Sequence, residues 1–107
     1  MKKLLNDPFY YVDEMLAGLC AAHPEYYRQW GDSGRVIARA NKAPPNKVGI
    51  VSGGGSGHLP IFAGYVGKGL LDTCAISDVF ASPSIEQMAD AMRATHHDAG
   101  VLQLYGN

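Results

Sequence analysis

Lys47-Val48-Gly49-Ile50-Val51-Ser52-Gly53-Gly54-Gly55-Ser56-Gly57-His58 is the stretch on which the reading of this chain turns. Residues 47–51 form a short apolar run of the buried-strand kind, and residues 52–58 follow it directly. Four of the five residues 53–57 are glycine. A glycine costs roughly 0.5–1 kcal/mol relative to alanine wherever an ordinary conformation would serve, and a tight turn needs only one or two of them. The excess predicts a segment whose main chain must come close to something. In an open α/β sheet, ligands gather beyond the carboxyl ends of strands, where side-chain-free N–H groups reach oxygen atoms. A helix beginning there would add its free amides and dipole.

The spacing also says which ligands to exclude. Gly53, Gly55 and Gly57 make Gly-x-Gly-x-Gly, one place short of the dinucleotide fingerprint, and the Lys-Ser/Thr ending of a P-loop is absent. His58 stands where that lysine would be. A neutral imidazole clamps phosphate poorly but serves well as a hydrogen-bond or proton-transfer partner. The segment therefore suits an uncharged, oxygen-rich ligand. The plainer alternative is a tight turn in which His58 satisfies a backbone carbonyl; the number of glycines favours the ligand loop.

Upstream, Asp7 is expected to cap a helix with Pro8 at its first position, and Val12, Met15, Leu16 and Leu19 fall on one face of a helix running to about residue 22. Residues 23–34 have no clean period and read as an irregular link. A strand is expected over 35–40, and residues 43–46 break the chain before 47–51. Downstream, residues 60–69 have room for a helical turn or two, and residues 73–81 read as a weak strand. Ser84-Ile85-Glu86-Gln87 is a capping-box signature. The helix it opens keeps Ile85, Met88, Ala89 and Met92 in phase, and Asp98-Ala99-Gly100 stops it before a strand at 101–105. This order predicts an α/β fold, a sheet with parallel strands flanked by helices, in one domain over residues 1–107.

Composition narrows the function classes. Nine Lys plus Arg against ten Asp plus Glu leave a net charge of −1, so no global basic field holds a nucleic-acid backbone. With 47% hydrophobic and 18% charged residues the chain is too apolar for disorder, and no apolar run is long enough to span a membrane. Residues 1–5 resemble a signal start, but Asn6-Asp7-Pro8 interrupts it, so a cytoplasmic address is expected. Cys20 and Cys74 form no ligand cluster and are read as small buried side chains.

Other candidates have bland readings that outweigh the sharp ones. His96-His97-Asp98 lacks metal-ligand spacing and is read as a solvated helix end. Tyr10, Tyr11, Tyr26, Tyr27 and Trp30 are read as packing. Met15, Met88 and Met92 are read as core. Asp72 and Asp78 are weak ligand candidates, Asp78 the better one, because aspartate in turns more often bonds its own backbone.

Val51-Ser52-Gly53-Gly54-Gly55-Ser56-Gly57-His58, Pro60, Gly64-Tyr65-Val66-Gly67, Gly69-Leu70 and Val79-Phe80-Ala81-Ser82-Pro83 resemble the substrate-binding subunit of dihydroxyacetone (glycerone) kinases, with a ketotetrose (erythrulose) kinase as a related reading. Lys3-Leu4-Leu5-Asn6-Asp7, Leu16-Ala17-Gly18-Leu19 and Ala22-His23-Pro24 carry the similarity back to the start. The resemblance implies the N-terminal part of a kinase substrate-binding domain, in which Gly55, Ser56 and Gly57 contact a small ketose through their backbone. His58 would be catalytic, bonding the substrate hydroxyl and helping to move its proton. No cofactor is implied in this chain: ATP or ADP with Mg is expected on a separate kinase subunit or domain. A homodimer is expected, and neither nucleic acid nor membrane is an expected partner.

Departures from the family pattern carry their own implications. Leu59 replaces a common Glu, Ile61-Phe62 replaces a small residue and His, and Gly106 stands where relatives have Lys before Asn107, so a less polar rim and a larger ketose are expected. The acidic residue after Asn107 and the histidine that forms a covalent hemiaminal lie beyond residue 107 in relatives, which implies that the chain alone is inactive. A ketose-sensing regulatory role, or a truncated product that dimerises, are the alternatives.

Overall fold

The computed structural model describes residues 2–58 and 62–105. Its first helix, α1, covers Tyr11–Ala22 and buries Val12 and Leu16, with Met15 and Leu19 packed beside them, as the period predicts. Its cap does not follow the prediction. Asp7 accepts the Phe9 amide on its side chain (2.9 Å) and the Tyr10 amide on its carbonyl (3.0 Å). These bonds spend Asp7 on a turn, and the helix starts behind it with Tyr10 at the N-cap and no side-chain cap.

The strands are β1 (Tyr27–Trp30), β2 (Val36–Arg39), β3 (Gly49–Gly55), β4 (Thr73–Ser77) and β5 (Val101–Gln103). They form one sheet in the order β1-β2-β4-β3-β5. β4, β3 and β5 are parallel, whereas β1–β2 and β2–β4 are antiparallel. The α/β class with parallel strands flanked by helices is therefore correct, extended by an antiparallel margin. β1 corrects the irregular link expected over 23–34.

The chain leaves β3 for β4 on one side and then crosses back past β3 to β5. Since parallel connections are right-handed almost without exception, crossovers running in opposite directions must cover opposite faces of the sheet. Two buried clusters follow from this. On one face, α1 and the β3–β4 connection, which includes a 3₁₀ turn at Ala63–Tyr65, enclose Ile37, Cys74, Ile76, Ala63 and Val66. On the other face, α2 (Ile85–Thr95) covers Val36, Val51 and Ala75 with Ala91 and Met88. Alternate residues of β2 and β4 go to alternate faces, as a pleated strand requires.

The capping box of α2 is present: Ser84 Oγ accepts the Gln87 amide (3.1 Å) and the Gln87 side chain accepts the Ser84 amide (2.9 Å). Ser84→Ala should cost about 1 kcal/mol in urea unfolding, and an unchanged midpoint would remove the box from any account of where α2 begins. The inward face differs from prediction: Ile85 is 91% exposed and Met92 also faces water, while Ala91 and Thr95 are fully buried. The helix lies so close to β3 that small side chains win the contact: a Cβ on Gly49 would overlap Thr95, and one on Gly53 would stand 2.5 Å from Met88 Sδ.

Cys74 is buried, and burial pushes its thiol up to about 12, so it is an inert core group. Cys20, on α1, is only partly buried, short of the expectation. Tyr27 and Trp30 pack against the two clusters, while Tyr10, Tyr11 and Tyr26 are exposed, Tyr10 with its ring edge-on to Phe9 and Tyr26 beside Tyr27. Among the described residues, no helix is long and apolar enough to cross a membrane.

Candidate ligand site at the carboxyl end of β3

Strand β3 runs further than its apolar part. Gly53, Gly54 and Gly55 pair with Ala75, Ile76 and Ser77 of β4, so three of the glycines belong to the strand rather than to a loop behind it. Packing accounts for each: Gly53 faces Met88, a Cβ on Gly54 would overlap the Phe62 ring, and one on Gly55 would stand 2.7 Å from the Ala81 carbonyl. The chain then turns through a 3₁₀ element at Ser56–His58.

What the strand leaves open is one-sided. The Ile50 carbonyl accepts the Asp72 amide on the β4 side, and the Val51 carbonyl accepts the Leu104 amide on the β5 side. Successive residues of a strand aim their peptide groups at alternate neighbours, so Gly53 and Gly55 face the β5 side with Val51. The β5 ladder ends at the Val51–Gln103 pair. Beyond it, that side of β3 has no strand partner among the described residues.

The β4–α2 connection lies over this strand end. Gly57 is exposed, and a Cβ there would stand 2.6 Å from the Phe80 ring; Phe80 itself has φ +56° and is 81% exposed. The Asp78 carbonyl accepts the amides of both Ser56 and Ala81, each at 3.2 Å. Ser56 is buried, and its hydroxyl donates to the Ser77 carbonyl. Its side chain and amide thus serve the fold, while Gly55 and Gly57 are the two positions where backbone meets neighbours without a side chain between. Phe80 and Ala81 are neighbours that sequence reasoning missed, since no local pattern announces that residues so distant in the chain lie against Gly55 and Gly57.

The weak acidic candidates separate. Asp78 is 71% exposed on its side chain and accepts Arg35 Nη1 at 2.9 Å, while Arg35 Nε donates to Asp13 at 2.6 Å, so Arg35 ties α1 to the end of β4. Burial pulls the Arg35 guanidinium down, but the bonds to Asp13 and Asp78 hold it above its ordinary value. Asp72 sits at the opposite end of β4, buried in an ion-pair network and away from the glycines.

Of the four predicted site residues, Gly55, Ser56 and Gly57 are contiguous at this strand end, and the backbone of His58 closes the turn. The His58 side chain, Leu59, Pro60, Ile61, Gly106 and Asn107 lie outside the described residues. Phe62, the described half of the Ile61-Phe62 departure, lays its ring against Gly54 and lines an open apolar groove of about 480 Å³ with Ile50, Tyr65, Leu71, Leu104 and Tyr105. Among the described residues the groove is mostly apolar, with Ser52 and the Tyr65 and Tyr105 hydroxyls as its polar side chains. The strand end offers polar groups from its backbone.

Adjacent parallel strands whose exits diverge to opposite faces, with glycine at the divergence, define an open α/β sheet of the switch-point kind, the class of fold whose ligand sites lie at such strand ends. Comparison with known proteins narrows the class: a family model described as the Dak1 domain matches residues 17–107, and the chain belongs to that family. It is 46% identical over 107 residues to D-erythrulose kinase of Mycolicibacterium smegmatis, covering 100% of this chain and 18% of that protein. It is 45% identical, again over its full length, to PTS-dependent dihydroxyacetone kinase 1, dihydroxyacetone-binding subunit DhaK, of Listeria innocua, of which it covers 32%. Among solved structures, the dihydroxyacetone kinase from C. freundii in complex with AMP-PNP and Mg2+ matches with a TM-score of 0.84 and 31% identity, over 95% of this chain and 19% of that one. The chain thus spans about a third or less of the length of these relatives. The family resemblance drawn from residues 51–83 is borne out.

Proposed function

We propose that this chain forms the ketose-receiving part of a kinase subunit, holding dihydroxyacetone or a ketotetrose such as erythrulose while one of its hydroxyls is phosphorylated. The observation that carries this reading is the position of Gly55-Ser56-Gly57, at the carboxyl end of β3 where the two crossovers part. The relatives named above supply the substrate class. In this reading the free side of Gly53 and Gly55 and the exposed Gly57 offer main-chain amides to substrate oxygens, and His58 bonds a hydroxyl and holds its proton. Bare backbone suits this role, because any Cβ at 55 or 57 would stand against the overlying loop. A nucleotide with Mg belongs to a partner subunit or domain and supplies the phosphoryl group.

Isothermal titration with dihydroxyacetone and with erythrulose tests the assignment. Saturable heat with at least one of them is expected, and His58→Ala should weaken it about tenfold, the effect of losing one hydrogen bond to a ligand hydroxyl. Absence of heat at millimolar ketose, or equal binding by the His58→Ala chain, would overturn it.

A further inference from the structure

At the other end of the sheet, where β2 ends and β3 and β4 begin, lies a second cavity of about 310 Å³ between β1–β2 and the carboxyl end of α2. Four of its lining residues are permanent cations, Arg28, Arg39, Lys42 and Arg93, and its one carboxylate is Asp72. Asp72 is already shared. It accepts Arg39 Nη1 at 3.1 Å on one oxygen, and Lys47 Nζ at 2.6 Å and the Ile50 amide at 2.8 Å on the other. Among the described residues Arg93 pairs with Asp90 alone (2.7 Å), and its side chain remains 67% exposed. Arg28 donates its Nε to the Arg39 main-chain carbonyl at 3.2 Å, which holds its guanidinium at the end of β2.

The Arg39 side chain is only 8% exposed, yet its Nε has no hydrogen-bond partner among the described residues. A buried donor on a charged group without a partner is costly and rare. The α2 carboxyl end adds the equivalent of only about half a negative charge, too little to balance these cations. Ordinary surface charge does not explain Arg39 either, because a cation used only for solubility stays in water.

The geometry points to a second binding site here, for the phosphoryl group of a small soluble molecule, gripped by Arg39 from within the wall and by Arg28, Lys42 and Arg93 from the rim. A tetrahedral oxyanion presents several acceptors to planar guanidinium forks. The site lies at the amino-terminal ends of β3 and β4, away from Gly55 and Gly57, so it is separate from the proposed ketose site.

Thermal unfolding of the chain in rising inorganic phosphate, against sodium chloride of matched ionic strength, reads the site. Phosphate should raise the midpoint saturably where chloride does not. Lys42→Ala and Arg93→Ala should each weaken the apparent phosphate affinity about tenfold, the effect of one charged hydrogen bond at a rim. Both residues are exposed, so the fold should survive, and Lys68→Ala on the β3–β4 connection should change nothing. Equal effects of phosphate and chloride, unchanged affinity in both rim variants, or binding only to vesicles containing phosphatidic acid with no response to free phosphate would each overturn the assignment.

Discussion

Asp72→Ala is expected to lower the unfolding free energy by about 3–5 kcal/mol, the range for breaking a buried ion pair by removing one partner. That is a large share of the 5–15 kcal/mol that a domain typically has. Asp72 is 2% exposed and joins three segments: Arg39 at the end of β2, Lys47 before β3, and the Ile50 amide within β3. Without the carboxylate, Arg39 keeps its charge in the wall of the sheet with neither Nη1 nor Nε satisfied. Burial alone would raise the Asp72 carboxyl, but the bonds from Lys47, the Ile50 amide and Arg39 outweigh it and hold the group below its ordinary value. Because it titrates lower folded than unfolded, its contribution is complete above about pH 4 and is lost as the pH falls through the folded value. Urea midpoints of Asp72→Asn measured down an acid series should therefore converge on those of the parent chain. A constant gap at every pH would show that the charge is not what stabilises this corner, and a loss below about 1 kcal/mol for Asp72→Ala would place the residue among ordinary surface pairs.

Asp72 also shows where the sequence stops being informative. It reads as a turn aspartate because its neighbours are Leu71 and Thr73, while its partners come from positions 39, 47 and 50. The same limit acts on β3. Its apolar start at 48–51 is legible, but glycine is depleted in strands, so the extension through Gly55 is visible only in the ladder with β4. β1 escaped notice because Tyr27-Arg28-Gln29-Trp30 is a four-residue edge held from across the sheet, with Ala40 donating to the Tyr26 carbonyl at 2.8 Å. In α2 the capping box is local and legible, whereas the phase of the helix is set by what it touches. Ile85 and Met92 are the more hydrophobic choices, yet a strand bearing Gly49 and Gly53 admits only a close face, and Ala91 and Thr95 supply it. At the candidate site, the excess of glycine reads as a ligand loop, and the structure sets three of those glycines against the protein's own side chains and backbone. Packing by Met88, Phe62 and Ala81 accounts for Gly53, Gly54 and Gly55, and spacing alone could not name those neighbours.

Gly49→Ala should destabilise the chain by about 3 kcal/mol, at the upper end of what overpacking a core costs. Intrinsic preference predicts the opposite sign, since alanine in a strand should gain roughly 0.5–1 kcal/mol over glycine. The overlap decides. A methyl at position 49 meets both Cγ2 and the carbonyl oxygen of Thr95, and neither can withdraw. The Thr95 hydroxyl donates to the Ala91 carbonyl at 2.6 Å and is bonded to the Thr73 hydroxyl of β4, while the carbonyl is helix backbone. Relief therefore requires the last turn of α2 to lift from the sheet, which opens the layer over Val51 and Ala75. Gly53→Ala is the control: its methyl meets the Met88 thioether, the far end of a flexible side chain, so its cost should be smaller. Thr95→Ala in the Gly49→Ala background removes Cγ2 but not the carbonyl, so recovery should be partial and the two changes non-additive. Urea unfolding of Gly49→Ala, Thr95→Ala, the double variant and Gly53→Ala reads this directly. Additive losses for positions 49 and 95, or a Gly49→Ala chain more stable than the parent, would mean that α2 does not approach β3 as closely as the structure places it.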